Sequence, residues 1–151
     1  MISPAQLRAA RLEAGLTQRE VAALVGIAPS NLSAYEAGKR PMSATMADRI
    51  EACLRPSPRV LLERNRDGLR ELLLERGVRN PRVFGSVARG SDTPGSDIDI
   101  LVDLGDTITG FGLAALKRDA EQLLGVPVDI VSSGGLRGRF RDRVLREAVP
   151  V

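Results

Sequence analysis

The sequence predicts two domains of different class, an all-α unit followed by a small α/β unit. Residues 1–54 contain only short stretches with apolar residues at helical spacing. Residues 59–151 alternate helical patterns with three short apolar runs, "RVFGS", "DIDILVDL" and "VPVDIVS", which is typical of strands and helices built around one sheet. Between them lies "RPSPR", whose two prolines disfavour helix nearby. We therefore place a linker at residues 55–58.

Four short helices are predicted in residues 1–54. Thr17 and Glu20 form a capping box, in which each side chain satisfies a backbone donor at the start of a helix. Ser43 begins the fourth helix, and a glycine follows each of the first three. These glycines are Gly15, Gly26 and Gly38.

In the second unit, one long amphipathic helix is predicted over residues 59–76 and is ended by Gly77. Two more helices are predicted over residues 112–124 and 139–148, each of them after a strand. The order of these elements predicts a small sheet covered by helices.

Composition excludes several classes of protein. No apolar run approaches the roughly 18 residues of a membrane-spanning helix, so no membrane partner is expected. The N-terminus lacks the pattern of a signal peptide, and Cys53 is the only cysteine, which together indicate a cytoplasmic protein. Because the 151 residues include no histidine, His-based general bases, His–zinc sites and Ser-His-Asp mechanisms are excluded. Catalysis must use carboxylates, hydroxyls, lysine or arginine.

Two acids stand at the head of an apolar strand in "GSVARGSDTPGSDIDILVD", residues 85–103. Residues two apart in a strand point to the same face, so Asp97 and Asp99 present neighbouring carboxylates. Two adjacent negative charges repel unless a cation or a proton lies between them. With no histidine or thiolate available, oxygen ligands favour Mg²⁺ or Mn²⁺.

A third acid and a glycine-serine pair extend this candidate site. Asp129 lies within the apolar run "VPVDIV", where a buried carboxylate is costly unless it is paired or binds a metal. If its strand neighbours that of Asp99, the two carboxylates belong to one cluster. Gly85 and Ser86 follow a strand and precede a helix start, where backbone N–H groups and a hydroxyl can hold a phosphate.

The stretch "GSVARGSDTPGSDIDILVD" resembles the signature of polymerase-β-type nucleotidyltransferases, Gly-Ser-x-x-Arg-Gly, a spacer, then Ser-Asp-x-Asp. It is most similar to the minimal MNT branch of that superfamily, over about residues 60–151. The resemblance implies a mixed sheet, a nucleotide such as ATP bound by Gly85 and Ser86, and magnesium held by Asp97 and Asp99.

By the same resemblance, Asp129 ligates the metal or helps to deprotonate the attacking hydroxyl. Arg89 and Ser96 lie inside the signature and are assigned to nucleotide binding. For Arg89, a salt bridge that fixes the loop is an equally good interpretation. Asp103 and Asp106 are expected to be solvated or capping residues, with a supporting role for Asp103 left open.

The first unit resembles the lambda-repressor-like (XRE-type) helix-turn-helix family. The segments that match are "LTQREVAALVG" and "SNLSAYEAGKRP", and the resemblance covers residues 5–54. It implies that the helix beginning near Ala28 enters a major groove, while the helix beginning at Thr17 meets the DNA backbone. Recognition of two half-sites would require a dimer, so oligomerisation is left open.

This resemblance gives each candidate DNA contact a role. Gln18 is expected to face a phosphate, and Asn31 can make a bidentate contact with adenine. Tyr35 is expected in the core, because it shares a face with Leu32. The net charge of residues 1–54 is only +1, which leaves open a role in dimerisation or docking without DNA. The other candidates are Pro29, Ser30 and Ser33 for base edges, and Lys39 and Arg40 for phosphates.

Taken together, the resemblances imply an antitoxin that transfers AMP from ATP to a tyrosine of a HEPN ribonuclease toxin and represses its own operon. Two alternatives remain. One is a nucleotidyltransferase acting on a small molecule, as aminoglycoside-modifying relatives do. The other is a non-catalytic regulator that neutralises a partner by contact. The arginine-rich residues 137–146 form either a surface for phosphates or an acidic partner, or a solvated helix face.

Overall fold

The computed structural model describes residues 1–104 and 110–151, and it contains two compact units, Met1–Pro56 and Ser57–Val151. The predicted fold class is confirmed. The described residues of the first unit form helices only, and those of the second form helices and a four-stranded mixed sheet. Of the helices in the described part of the chain, none has the length and hydrophobicity to cross a bilayer.

Helix starts in the first unit follow the capping residues. Thr17 accepts a hydrogen bond from the Glu20 backbone N–H while the Glu20 carboxylate accepts from Thr17, so the predicted capping box is confirmed. Ser43 caps the fourth helix, as predicted. Gly26 takes the left-handed conformation (φ 68°) that ends the second helix. The helices are α1 (Pro4–Glu13), α2 (Gln18–Val25), α3 (Pro29–Glu36) and α4 (Ala44–Leu54).

An ion pair that the sequence analysis did not identify lies among these helices. Arg11 Nε is 2.6 Å from Glu36 Oε1, and Gln18 Nε2 donates to Glu36 Oε2 at 2.9 Å. The side chains of Arg11 and Glu36 are only 9% and 3% exposed. Burial by itself raises the pKa of Glu36, but the hydrogen bonds from Arg11 and Gln18 and the charge of Arg11 outweigh it, so the pKa lies below 4.5.

The helix predicted over residues 59–76 is two helices, so that prediction was wrong at its centre. The break falls at Asn65, whose side-chain Nδ2 donates to the Leu61 carbonyl at 2.8 Å. Asparagine competes in this way with helical backbone bonding, a local effect that the apolar periodicity does not report. The helices are α5 (Pro58–Arg64), α6 (Arg66–Glu75), α7 (Gly85–Arg89), α8 (Gly110–Leu124) and α9 (Gly138–Glu147).

The sheet has the strand order β3-β2-β1-β4, in which only the β2–β3 pairing is parallel. The strands are β1 (Val78–Phe84), β2 (Ile98–Leu104), β3 (Val128–Ser132) and β4 (Val149–Pro150), and a short 3-10 helix spans Ser133–Gly135. Ile98 and Ile100 of β2 are fully buried in the core beneath α6 and α8. The two-residue strand β4 was not predicted from the sequence.

Candidate active site

Gly85 brings the main chain directly against Asp99. It follows β1 with φ 72°, and a Cβ built at this position would overlap the Asp99 carboxylate. Only glycine combines this left-handed conformation with so close an approach. In the described residues, no side chain caps the start of α7. The backbone N–H groups of a helix's first turn have no partner within the helix and are the groups that bind anions at such positions. The half-buried Ser86 adds a hydroxyl at the same turn.

The charges of Asp97 and Asp129 both act on Asp99. β2 and β3 pair in parallel with Asp99 opposite Asp129, and Asp97 lies one residue before β2. Burial raises the pKa of Asp99 above its usual value, and repulsion from Asp129 and from Asp97 raises it further. The positive charge of Arg89 acts in the opposite direction. A site for a cation is the arrangement that such mutual repulsion favours.

These residues fit a divalent cation by donor chemistry but do not form a preformed ligand set. Within residues 1–104 and 110–151, no group of three or more His, Cys, Asp or Glu side chains is arranged to hold a metal ion. All three donors are carboxylate oxygens, which Mg²⁺ and Mn²⁺ prefer. Asp129 Oδ1 lies 3.8 Å from Lys117 Nζ of α8, so one acid has a basic neighbour in this conformation.

The expectation that Asp129 is buried was wrong. Its side chain is 56% exposed, because β3 is an edge strand with one side open to solvent. The desolvation argument from the run "VPVDIV" therefore does not apply. What brings Asp129 to the site is its register opposite Asp99, which depends on strand pairing between distant segments.

Arg89 and Ser96 make contacts that shape the loops around the site. Arg89 Nη1 is 2.9 Å from Glu147 Oε2 of α9, which is the salt bridge considered from the sequence. Ser96 Oγ accepts a hydrogen bond from the Thr93 backbone N–H at 3.0 Å. Nucleotide binding by these two residues stays a prediction.

Asp92 anchors the loop that leads to Asp97. Its side chain is 1% exposed, and its Oδ2 accepts a hydrogen bond from the Arg59 backbone N–H at 2.9 Å, at the start of α5. Asp92 is not among the residues predicted from the sequence, although an acid between two turn segments of the signature is a signal for such a cap. The loop before the acids is thus fixed to a helix that lies far away in sequence.

The Asp103 carboxylate is bonded to side chains of the second unit. It accepts from Ser133 Oγ at 2.6 Å and pairs with Arg82 Nη2 at 2.9 Å. The hydrogen bond from Ser133 is the main cause that lowers the pKa of Asp103, and it outweighs desolvation. Asp103 is therefore paired with side chains of β1 and of the 3-10 helix. Asp106 lies outside the described residues.

One cleft of about 460 Å³ is lined by most of the residues predicted for nucleotide and metal binding. Gly85, Ser86, Arg89, Asp99 and Asp129 all line it, whereas Asp97 and Ser96 are not among its lining residues. The turn at Gly85 and Ser86, predicted to bind phosphate, and two carboxylates thus share one opening.

One side of this cleft is formed by α9. Phe140 and Arg143 line it together with Glu147. The sequence predicts residues 137–146 as a basic surface for nucleotide phosphates or an acidic partner, or as a solvated helix face, and it assigns no role to the Phe140 ring. An aromatic residue at a solvent-facing position of an arginine-rich helix was the available signal.

In the first unit, α3 presents short polar side chains to solvent. Pro29, Ser30 and Ser33 are exposed, and Asn31 is half-buried with its Oδ1 accepting from Arg40 Nη1 at 2.8 Å. The Arg40 guanidinium also lies 5.9 Å from the centre of the Tyr35 ring. These contacts place a cation beside the residues predicted to read bases.

Two further candidates of this unit differ in exposure. Lys39 is exposed, as a phosphate contact must be. The half-buried Gln18 already donates its side-chain amide to Glu36. Tyr35 is 9% exposed, which confirms its predicted place in the core. DNA contact by all of these residues stays a prediction.

Comparison with known proteins assigns each unit to a family model. Residues 7–61 match a helix-turn-helix model, and residues 63–150 match a nucleotidyltransferase domain model. The protein adenylyltransferase MntA of Thermococcus cleftensis is 40% identical over 82 residues, which cover 54% of this chain and 83% of the relative.

Two other comparisons agree with this family. A protein of Methanocaldococcus jannaschii, provisionally named a protein adenylyltransferase, is 40% identical over 80 residues, covering 53% of this chain and 86% of that protein. A solved structure provisionally described as a minimal nucleotidyltransferase is 45% identical, with a TM-score of 0.57, and covers 62% of this chain and 95% of that chain. Both likenesses cover nearly the full length of the related protein.

Proposed function

The chain belongs to the nucleotidyltransferase family, and we propose that it transfers AMP from ATP to a hydroxyl group of a partner protein. The observation that carries the proposal is the approach of Gly85 to Asp99 in a cleft that Ser86 and Asp129 also line. Phosphates held at this turn would lie beside the carboxylates that the chemistry needs. Two relatives at 40% identity carry the name protein adenylyltransferase, which supports a protein as the acceptor.

In the proposed reaction, the oxygen of the acceptor hydroxyl bonds to the α-phosphorus of ATP. The bond from that phosphorus to the oxygen bridging to the β-phosphorus breaks, and pyrophosphate leaves with the electron pair. The backbone N–H groups at Gly85 and the hydroxyl of Ser86 would hold the phosphates, and Asp129 would accept the proton of the attacking hydroxyl. Mg²⁺ or Mn²⁺ held by Asp97, Asp99 and Asp129 would neutralise charge on the phosphates.

For the acceptor, we propose a tyrosine of a HEPN-type ribonuclease toxin, with this chain as its antitoxin. The resemblance to the minimal MNT branch supports this choice. The cleft is also open and lies on a small unit, Ser57–Val151, in which the described residues build one sheet and its covering helices. An acceptor carried by a separate protein suits such a site.

Transfer can be tested with the purified chain, Mg²⁺, labelled ATP and the product of the neighbouring gene. We expect mass spectrometry to find an AMP group on a tyrosine of the partner. Asp99→Asn should lower the rate at least about a hundredfold, as losses of preorganised electrostatic groups do. Asp142→Asn, an exposed acid on α9, is the matched control and should keep full activity. Absence of the adduct, with toxin inhibition intact in Asp99→Asn, would overturn the catalytic proposal.

We also propose that the helix-turn-helix unit binds the operator of its own operon through α3. Support comes from the exposed Ser30 and Ser33, with Lys39 and Arg40 close by in the chain. A serine or asparagine in the major groove reads base edges, whereas lysine and arginine contact phosphates.

Asn31→Ala should weaken binding to the operator roughly tenfold to a hundredfold and leave binding to random DNA unchanged, because a bidentate base contact discriminates between sequences. Lys39→Ala should weaken both complexes by a similar factor and reduce their salt dependence. Binding titrations at fixed salt measure both effects. An equal loss on the two DNAs for Asn31→Ala would show that Asn31 does not read bases.

A further inference from the structure

Helix α9 places an exposed aromatic ring in the cleft. Phe140 is 46% exposed and lines the same opening as Gly85 and Asp99. The chain contains only three phenylalanines, one tyrosine and no tryptophan. An aromatic side chain buries a large apolar area in a core or an interface, so its exposure beside polar site residues points to a ligand.

Arg143, one turn further along α9, contacts the Phe140 ring. Its guanidinium carbon lies 5.4 Å from the centre of the Phe140 ring, within the range of a cation–π contact. Arg143 itself lines the cleft, and so do Ile130 and Val131 of β3. These side chains give the cleft a flat aromatic face, a planar cation and an apolar wall.

The platform formed by Phe140 and Arg143 is fixed relative to the phosphate-binding turn. Val144 of α9 is 1% exposed and packs in one cluster with Phe84, the residue immediately before Gly85. A salt bridge of 2.9 Å between Arg89 of α7 and Glu147 of α9 also joins α9 to the helix that begins at Gly85. An apolar cluster and an ion pair thus connect the helix that carries Phe140 with the turn that begins at Gly85.

We propose that Phe140 and Arg143 bind the nucleobase of the nucleoside triphosphate, with the ring of Phe140 stacked on the base. The inference rests on the proposed function, since it assigns the second half of the same substrate. Stacking between a base and an aromatic side chain is favourable for every base, because each has a π-face. Arg143 adds a planar cation that can lie against the base or donate to its edge.

The test compares ATP with inorganic tripolyphosphate, which carries the phosphates without a base. In calorimetric titrations with Mg²⁺, Phe140→Ala should lower the affinity for ATP about tenfold to a hundredfold and leave the affinity for tripolyphosphate unchanged. Phe140→Tyr should keep the affinity for ATP, since it keeps the ring. Leu145→Ala, which removes another exposed apolar side chain of α9, is the matched control and should change neither affinity.

A direct measure of stacking is available because the chain has no tryptophan. Phe140→Trp introduces a single indole at the platform, and ATP should quench its fluorescence while tripolyphosphate should not. Leu145→Trp should show no quenching with either ligand.

Unchanged affinity for ATP in Phe140→Ala, or an equal loss for ATP and tripolyphosphate, overturns the inference while transfer by the wild-type chain still stands. A wild-type chain that neither binds ATP nor transfers AMP overturns the proposed function, and the inference with it.

Discussion

At the scale of single residues, the site depends on the absence of a side chain. Gly85 lets the backbone lie against the Asp99 carboxylate, and the built Cβ would come within 3.2 Å of Asp99 Cγ as well. The same residue has φ 72°, which side chains disfavour. The effect of backbone conformation can be separated from that of close approach by comparison with Gly77. Gly77 has a similar φ of 76°, but nothing lies within 4 Å of its built Cβ.

Gly85→Ala should therefore destabilise the second unit and also remove nucleotide binding. The left-handed conformation costs an alanine about 1–2 kcal/mol, and the added methyl group must displace the Asp99 carboxylate from the turn at Gly85. Thermal unfolding gives the stability, and titration with ATP gives the binding.

Gly77→Ala is the matched control for this prediction. It should lose a similar 1–2 kcal/mol, roughly, and keep full affinity for ATP, because nothing lies near its Cβ. If Gly85→Ala still binds ATP, nucleotide binding does not require the close approach of Gly85 to Asp99.

At the scale of elements, three of the four helices of the first unit are joined by one buried cluster. Arg11 of α1 and Gln18 of α2 both bond Glu36 of α3, and Arg11 Nη1 also donates to the Leu16 carbonyl at 2.9 Å. Arg11 and Glu36 are each other's counter-charge, so removing one of them leaves the other charge buried and unpaired. Breaking a buried pair costs more than the pair itself contributes.

Glu36→Gln should lower the free energy of unfolding of the first unit by about 3 kcal/mol at neutral pH, since Arg11 remains buried without a counter-charge. The double variant Arg11→Met/Glu36→Leu should recover most of this loss, because an apolar pair needs no desolvation of charge. Chemical denaturation measures both. A double variant as unstable as the single one would contradict this account.

The same pair should contribute to loss of stability in acid. The folded pKa of Glu36 lies below 4.5, so its stabilising effect is present above the unfolded pKa and is lost as the pH falls through the folded value. We expect the wild-type unit to lose stability in that window. The unfolding free energy of Glu36→Gln should change less over the same range, and an identical pH profile would be the contrary result.

At the scale of the whole molecule, each hydrophobic cluster of the described residues belongs to a single unit. One includes Leu7 and Leu32 of the first unit. The second unit has a larger cluster that includes Ile100 and a smaller one that includes Phe84 and Val144. No cluster combines buried residues of both units, so each unit buries its own apolar surface. Independent cores of this kind usually unfold as separate cooperative transitions.

A fragment comprising Ser57–Val151 should therefore fold alone and bind ATP with the affinity of the full chain. In the full chain, Glu36→Gln should shift only the transition of the first unit, and Gly77→Ala only that of the second, because distant sites act additively. Differential scanning calorimetry tests this. A fragment that fails to fold, or a shift of both transitions by either variant, would show that the units depend on each other.

Local sequence patterns are sufficient to predict two units, their fold class and the family. Capping residues, helix-stop glycines and the spaced signature are local patterns, and local rules are sufficient to interpret them. Pro56 and Pro58 likewise indicate, without knowledge of any contact, where the all-α pattern gives way to the α/β pattern.

Tertiary structure decided how the site is assembled. Asp129 reaches Asp99 through parallel pairing of β2 and β3, Asp92 fixes the signature loop to α5, and Phe140 enters the cleft because α9 packs beside α7. The exposure of Asp129 and the break at Asn65 also escaped the sequence patterns. The reason is physical: burial, register and charge coupling depend on segments far apart in the chain, which only the folded sheet brings together.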